Sequence, residues 1–107
     1  MPGKDDSSEA RYSRFVADLR QAVFEGPGQA DPALRRSAAT GKGLTEPWLS
    51  YTSRVRDAAW TLTESDIDAL KAAGHSEDEI FEMTIAAALG ASLRMLDAGL
   101  QAVRDVG

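Results

Sequence analysis

Leu62-Thr63-Glu64-Ser65-Asp66-Ile67-Asp68-Ala69-Leu70-Lys71-Ala72-Ala73-Gly74-His75-Ser76-Glu77-Asp78-Glu79-Ile80-Phe81-Glu82-Met83-Thr84 carries two helix starts and one glycine stop. Thr63-Glu64-Ser65-Asp66 has the Ser/Thr-x-x-acid form of a capping sequence, although Asp66 is shorter than the usual Glu for the return hydrogen bond. The helix it opens buries Ile67 and Leu70 and stops at Gly74. Ser76-Glu77-Asp78-Glu79 is a full capping box: the Ser76 oxygen accepts from the Glu79 N–H, and the Glu79 carboxylate reaches back to the Ser76 N–H. Three acids in that turn also suit the positive end of a helix dipole.

The helix opened at Glu77 is expected to run to about Arg104. Its middle, Thr84 to Ser92, is apolar nearly all round, which predicts burial on several sides. Leu93, Met95, Leu96, Leu100 and Val103 extend an apolar stripe, with Arg94, Asp97 and Arg104 outside it. Met83 and Met95 read as core gap-fillers.

Upstream, residues 1–7 read as a disordered tail, and Ser7 or Ser8 can cap a first helix. Tyr12, Phe15, Val16, Leu19, Ala22 and Val23 recur on one face of it. Glu25-Gly26-Pro27-Gly28 ends it, with Gly in the left-handed position. Asp31-Pro32 opens a short second helix carrying Leu34 and Ala38, which stops at Gly41. Gly41-Lys42-Gly43 has no strand before it and is not a phosphate loop. Thr45-Glu46-Pro47 begins a third helix with Trp48, Leu49, Val55, Ala58, Ala59 and Leu62 on its apolar side. No strand pattern and no internal repeat is present. The expectation is an all-α fold of about five helices ending in a long Ala/Gly-rich helix, with residues 8–107 as a single domain.

The chain has 107 residues, 43% of them hydrophobic, and a formal charge of −5. The 12 Lys and Arg residues are scattered among 17 acids, so a phosphate-binding basic patch is absent and no nucleic-acid partner is expected. Arg35-Arg36, the one adjacent pair, reads as a solvated face. With no cysteine, disulfides, thiolate metal sites and Cys nucleophiles are excluded. A zinc site on the one histidine would need three carboxylates, so no metal or other cofactor is expected. No continuous apolar run approaches the roughly 18 residues of a membrane span, and a cytoplasmic protein without a membrane partner is expected.

Ala69 to Glu82, Ala-Leu-Lys-Ala-Ala-Gly-His-Ser-Glu-Asp-Glu-Ile-Phe-Glu, with the Ala-rich helix behind it, resembles the carboxymuconolactone decarboxylase family, which includes the alkylhydroperoxidase D-like proteins. The resemblance extends over about Glu46 to Leu100, roughly half the chain. It implies an all-α domain that assembles as a homo-oligomer, a dimer, trimer or hexamer. The peroxidase branch uses Cys-x-x-Cys followed by a His, with a Glu upstream, because peroxide reduction needs an activated thiol and a resolving one about a turn apart. Counting back from Gly74, the two cysteine positions fall near Ala59 and Leu62 and the family His near Asp66; Glu46 matches the upstream Glu. Thiol peroxidase activity is therefore impossible for this chain by itself.

Two functional expectations follow. The first is an oligomeric helical scaffold or small-molecule-binding module, with Ala59 and Leu62 packed into apolar core. The alternative is a cofactor-free enzyme of the decarboxylase or isomerase type acting on a small acidic or carbonyl substrate. There Glu46 would be the acid/base, with His75 a second candidate, and Arg54 or Arg56 would bind the anionic group. Tyr51 and Trp60 would line the pocket. The enzyme reading predicts a polar pocket between the third and last helices holding a carboxylate of raised pKa. Each residue also has a structural role open to it: Glu46 in a first helical turn, His75 as a staple against the next helix, Arg54 and Arg56 on a solvated face, Tyr51 and Trp60 in core or interface.

Overall fold

A computed structural model describes residues 8–106, which hold five α-helices and no strand. They are α1 (Ser8–Arg20), α2 (Pro32–Thr40), α3 (Trp48–Ala58), α4 (Glu64–Ala72) and α5 (Glu77–Val106). The tail read into residues 1–7 lies outside the described residues. The all-α expectation holds, and α5 is the long C-terminal helix it called for, 30 residues or about 45 Å.

Local signals set most boundaries. Asp31 caps α2 by accepting from Ala33 N–H at 2.9 Å, Pro32 takes the first helical position, and Gly41 closes the helix in the left-handed conformation at φ 81°. Asp66 does reach back to the Thr63 N–H, at 2.8 Å. Gly74, at φ 100°, makes a Schellman stop for α4: its N–H donates to Lys71 O, and His75 N–H donates to Leu70 O. Ser76 and Glu79 form both bonds of the capping box, each at 3.1 Å.

Two boundaries differ from expectation. α1 does not end on a left-handed Gly26; it widens into a π-helical turn, Gln21–Glu25, and leaves it with Gly26 extended. α3 is not capped by Thr45. It starts at Trp48, after a cis Glu46–Pro47 peptide, and the Glu46 carboxylate accepts from Ser50 N–H at 2.9 Å, supplying the missing cap. α3 also stops short of Leu62, giving way to a 3₁₀ turn at Ala59–Thr61.

The core is one cluster in which α5 lies across α2 and α3. It joins Phe24, Ala38, Trp48, Tyr51, Val55, Leu70, Ile80, Met83 and Ala86. Met83 fills it as expected. Met95 does not: it is 75% exposed. Only one side of the middle of α5 is buried, through Met83, Ala86, Ala87 and Gly90, while Ile85, Ala88 and Ser92 face outward. α1 buries none of its residues, and Phe15 is 62% exposed. The Cα radius of gyration, 16.4 Å, exceeds the roughly 13 Å of a compact chain of about this length. By length and hydropathy alone α5 could cross a membrane, yet its first half is the core of this fold.

Arg35 overturns the reading of Arg35-Arg36 as a solvated pair. It is 3% exposed, and its guanidinium donates to Ala30 O, Val23 O and Gly26 O. It thus ties α2 to the π turn and to the connection that follows it. Arg36 is the exposed member, paired with Glu25 at 2.7 Å.

Candidate functional site

Tyr51 is the hinge of the region where sequence places the chemistry. On one side it lines a small cleft of about 140 Å³ with Pro47, Ser50, Arg54, Asp66, Ala69 and Leu70. On the other it lines an open groove of about 350 Å³ with Ile67, Lys71, Glu77, Ile80, Phe81 and Thr84. Its ring meets Trp48 edge-on, with centroids 6.1 Å apart, and its hydroxyl bonds that of Thr84 at 2.6 Å. The groove lies between α3, α4 and α5, where the enzyme reading put its pocket. Its wall is largely hydrocarbon, with the Lys71–Glu77 ion pair at the rim.

The six sequence candidates divide. Glu46, Tyr51 and Arg54 gather at the small cleft, Glu46 through Ser50. Arg56 faces the other way, donating to Ala38 O on α2 at 2.7 Å. Trp60 stands on the 3₁₀ turn, 83% exposed. His75 packs its ring against Trp48 at a tilt of 48°, with centroids 4.6 Å apart, so it contacts α3 as well as heading α5.

The gathered residues are already committed to the fold. Arg54 donates to Asp66 at 2.6 Å, to Thr61 O at 2.5 Å and to Thr61 Oγ1 at 3.2 Å, tying α3 to the start of α4. Little of that guanidinium is left to grip a substrate carboxylate. Glu46 accepts from the Ser50 hydroxyl at 2.5 Å and from the Ser50 N–H, and these bonds hold its carboxyl below the usual value. Asp66 is held low as well, first by the Thr63 N–H and then by Arg54. Both carboxylates beside the cleft are thus shifted opposite to the raised pKa that an acid/base role would need. Among the described residues, no buried side-chain polar atom lacks a hydrogen-bond partner.

The cysteine positions inferred from the resemblance do not sit in the core as a pair. Ala59 is exposed and only Leu62 packs against the cluster. Asp66, at the inferred His position, is spent on the Arg54 bridge.

Sequence reasoning missed Glu82. From the second turn of α5 its carboxylate accepts from Gln29 N–H at 2.9 Å and Ala30 N–H at 2.8 Å, clamping the α1–α2 connection. A lone acid between Phe81 and Met83 was the available signal. Arg35 also had one: it shares its helix face with Ala38 and Ala39, three and four residues on. Against known proteins, no family model matches the chain, and no curated protein or solved structure gives a significant match.

Proposed function

We propose that this chain is a cysteine-free member of the carboxymuconolactone decarboxylase-like family that works as a self-associating helical scaffold, without thiol peroxidase activity. The observation that carries this reading is the apolar surface left outside the fold. Phe15 on α1 and Phe81, Met95, Val103 and Val106 on α5 are all more than 60% exposed. Large contiguous apolar patches mark interaction surfaces in soluble proteins. The committed state of Glu46, Arg54 and Asp66 supports the same reading, because Glu46 caps α3 and the Arg54–Asp66 bridge joins α3 to α4. The family proposal rests on the resemblance, together with a Gly74-stopped helix leading through a capping box into a long Ala/Gly-rich one.

The lyase-type alternative keeps one supporting feature, the meeting of Tyr51 and Arg54 at one cleft whose Ser50 is bonded to Glu46. Native mass spectrometry of protein purified without added ligand separates the two. A ligand-free multimer is the expected result. A monomer carrying a retained acid or carbonyl compound would replace the scaffold reading with the enzyme one.

A further inference from the structure

The outward side of α5 carries a heptad seam. From Phe81, steps of four and three reach Ile85, Ala88, Ser92 and Met95, all exposed. The same alternation continues through Gly99, Ala102 and Val106, also exposed. At about 100° per residue these eight positions fall within an arc of roughly 100°. Arg94, Asp97 and Arg104, in this half of the helix, lie away from the seam. Arg94 donates to Ala39 O on α2 at 2.8 Å, and Asp97 and Arg104 line the groove facing α1. The side toward α1 and α2 thus carries these charges beside Leu93, Leu96 and Leu100, and the seam positions themselves carry no charge.

We infer that this seam pairs with the same seam of a second copy, antiparallel about a two-fold axis. The pairing deepens the scaffold reading and rests on it. Residue size argues for a second copy and for its direction. In an antiparallel pair centred between Ser92 and Met95, Phe81 meets Val106 and Ile85 meets Ala102. Ala88 then meets Gly99, and Ser92 meets Met95. Two of these four layers set a large side chain against a small one, the Ala88–Gly99 layer is small on both sides, and all four are the a-against-d layers of an antiparallel pair. A parallel pair would stack Phe on Phe and Met on Met, with Gly on Gly in the layer after Met95, leaving bulges and gaps that close packing does not tolerate. The seam is about 39 Å long. Leu89, Leu96 and Val103 on one flank and Ala91 and Ala98 on the other widen it toward the roughly 800 Å² per partner of a stable interface. Charge borders the seam only near its ends, at Glu77, Asp78, Glu82 and Asp105. The small residues at its middle let the two backbones approach closely.

Because the chain has no cysteine, introduced thiols report the geometry alone. In the antiparallel pair, Ile85 of one copy meets Ala102 of the other, while the two Ala102 residues are about 25 Å apart along the axis. Under mild oxidation, the doubly substituted Ile85→Cys, Ala102→Cys chain is expected to form a covalent dimer and the single Ala102→Cys chain is not. Met95→Glu, on an exposed position, is expected to keep its helicity and lose dimer affinity at least tenfold. A dimer from Ala102→Cys alone would overturn the antiparallel arrangement and leave the scaffold reading standing. No cross-link from either variant, with the multimeric mass retained, would move the interface off α5. A wild-type monomer would overturn both pairing and scaffold. A monomer that co-sediments with phosphatidylcholine vesicles would assign the seam to lipid.

Discussion

Gly90 on α5 lies directly against Ala39 on α2: a methyl group added at Gly90 would sit 2.6 Å from the Ala39 Cα and nearer still to its carbonyl oxygen. The obstacle is backbone, so it cannot swing aside as a flexible side chain would. Gly90 is therefore what lets α5 cross α2 at this depth, despite the cost of about 1 kcal/mol that a glycine imposes inside a helix. Gly90→Ala is expected to lose stability by about 1–3 kcal/mol, the usual cost of overpacking. Urea unfolding measures it. A rise in stability, as helix propensity alone dictates, would show that the two helices have room to separate.

The clamp made by Glu82 sets a second expectation. Ala30 is buried, so its N–H has no ready substitute for the lost carboxylate. Glu82→Ala is expected to cost about 1.5–3 kcal/mol, the range for hydrogen bonds to charged groups. Glu82→Gln keeps one acceptor oxygen and is expected to recover part of that loss. Hydrogen exchange at Gln29 and Ala30 reads the same event locally, and unchanged protection in the Ala variant would show that the connection is held by something else.

Arg35 gathers the backbone carbonyls of Val23, Gly26 and Ala30. Arg35→Met preserves much of the side-chain volume and removes every donor. Each orphaned buried carbonyl costs about 1–3 kcal/mol, so the variant is expected to lose about 3 kcal/mol or more. A melting temperature unchanged from wild type would mean that water reaches those carbonyls freely.

Glu46 makes a pH-dependent contribution whose sign is fixed by its hydrogen bonds. Its folded-state value lies below the ordinary 4.5, so the unfolded chain holds that proton more tightly. The stabilisation is complete above the ordinary carboxylate range and is lost as pH falls through the folded-state value. The stability gap between wild type and Glu46→Gln is expected to be flat above about pH 5.5 and to close on further acidification. A gap that widened in acid would contradict the bonds to Ser50.

Where the fold was legible, the signal was local. Asp31-Pro32, Thr63 to Asp66 and Ser76 to Glu79 act within one turn of helix, and each behaves as its spacing requires. Gly74 likewise stops α4 because the next two amides must turn back onto Leu70 and Lys71. Tertiary geometry decided the rest. Phe15 and Met95 have the spacing of core residues, and periodicity cannot distinguish a face turned to the chain's own core from one turned outward. Arg35 was hidden for the converse reason: its charge suggested solvent, and the carbonyls of Val23, Gly26 and Ala30 explain its burial. At the candidate site, the clustering of Tyr51 and Arg54 was readable from their positions on α3. Their consumption by Thr84, Thr61 and Asp66 was not, because those partners lie 7 to 33 residues away.

The most direct measurement is the mass in solution by sedimentation equilibrium, at several loading concentrations, for wild type beside Met95→Glu. Expected is a wild-type mass at an even multiple of the 11.5 kDa chain, falling toward one chain in the variant while helical circular dichroism is unchanged. A wild-type mass of 11.5 kDa at every concentration would contradict self-association and leave the apolar side of α5 without a partner in a second copy.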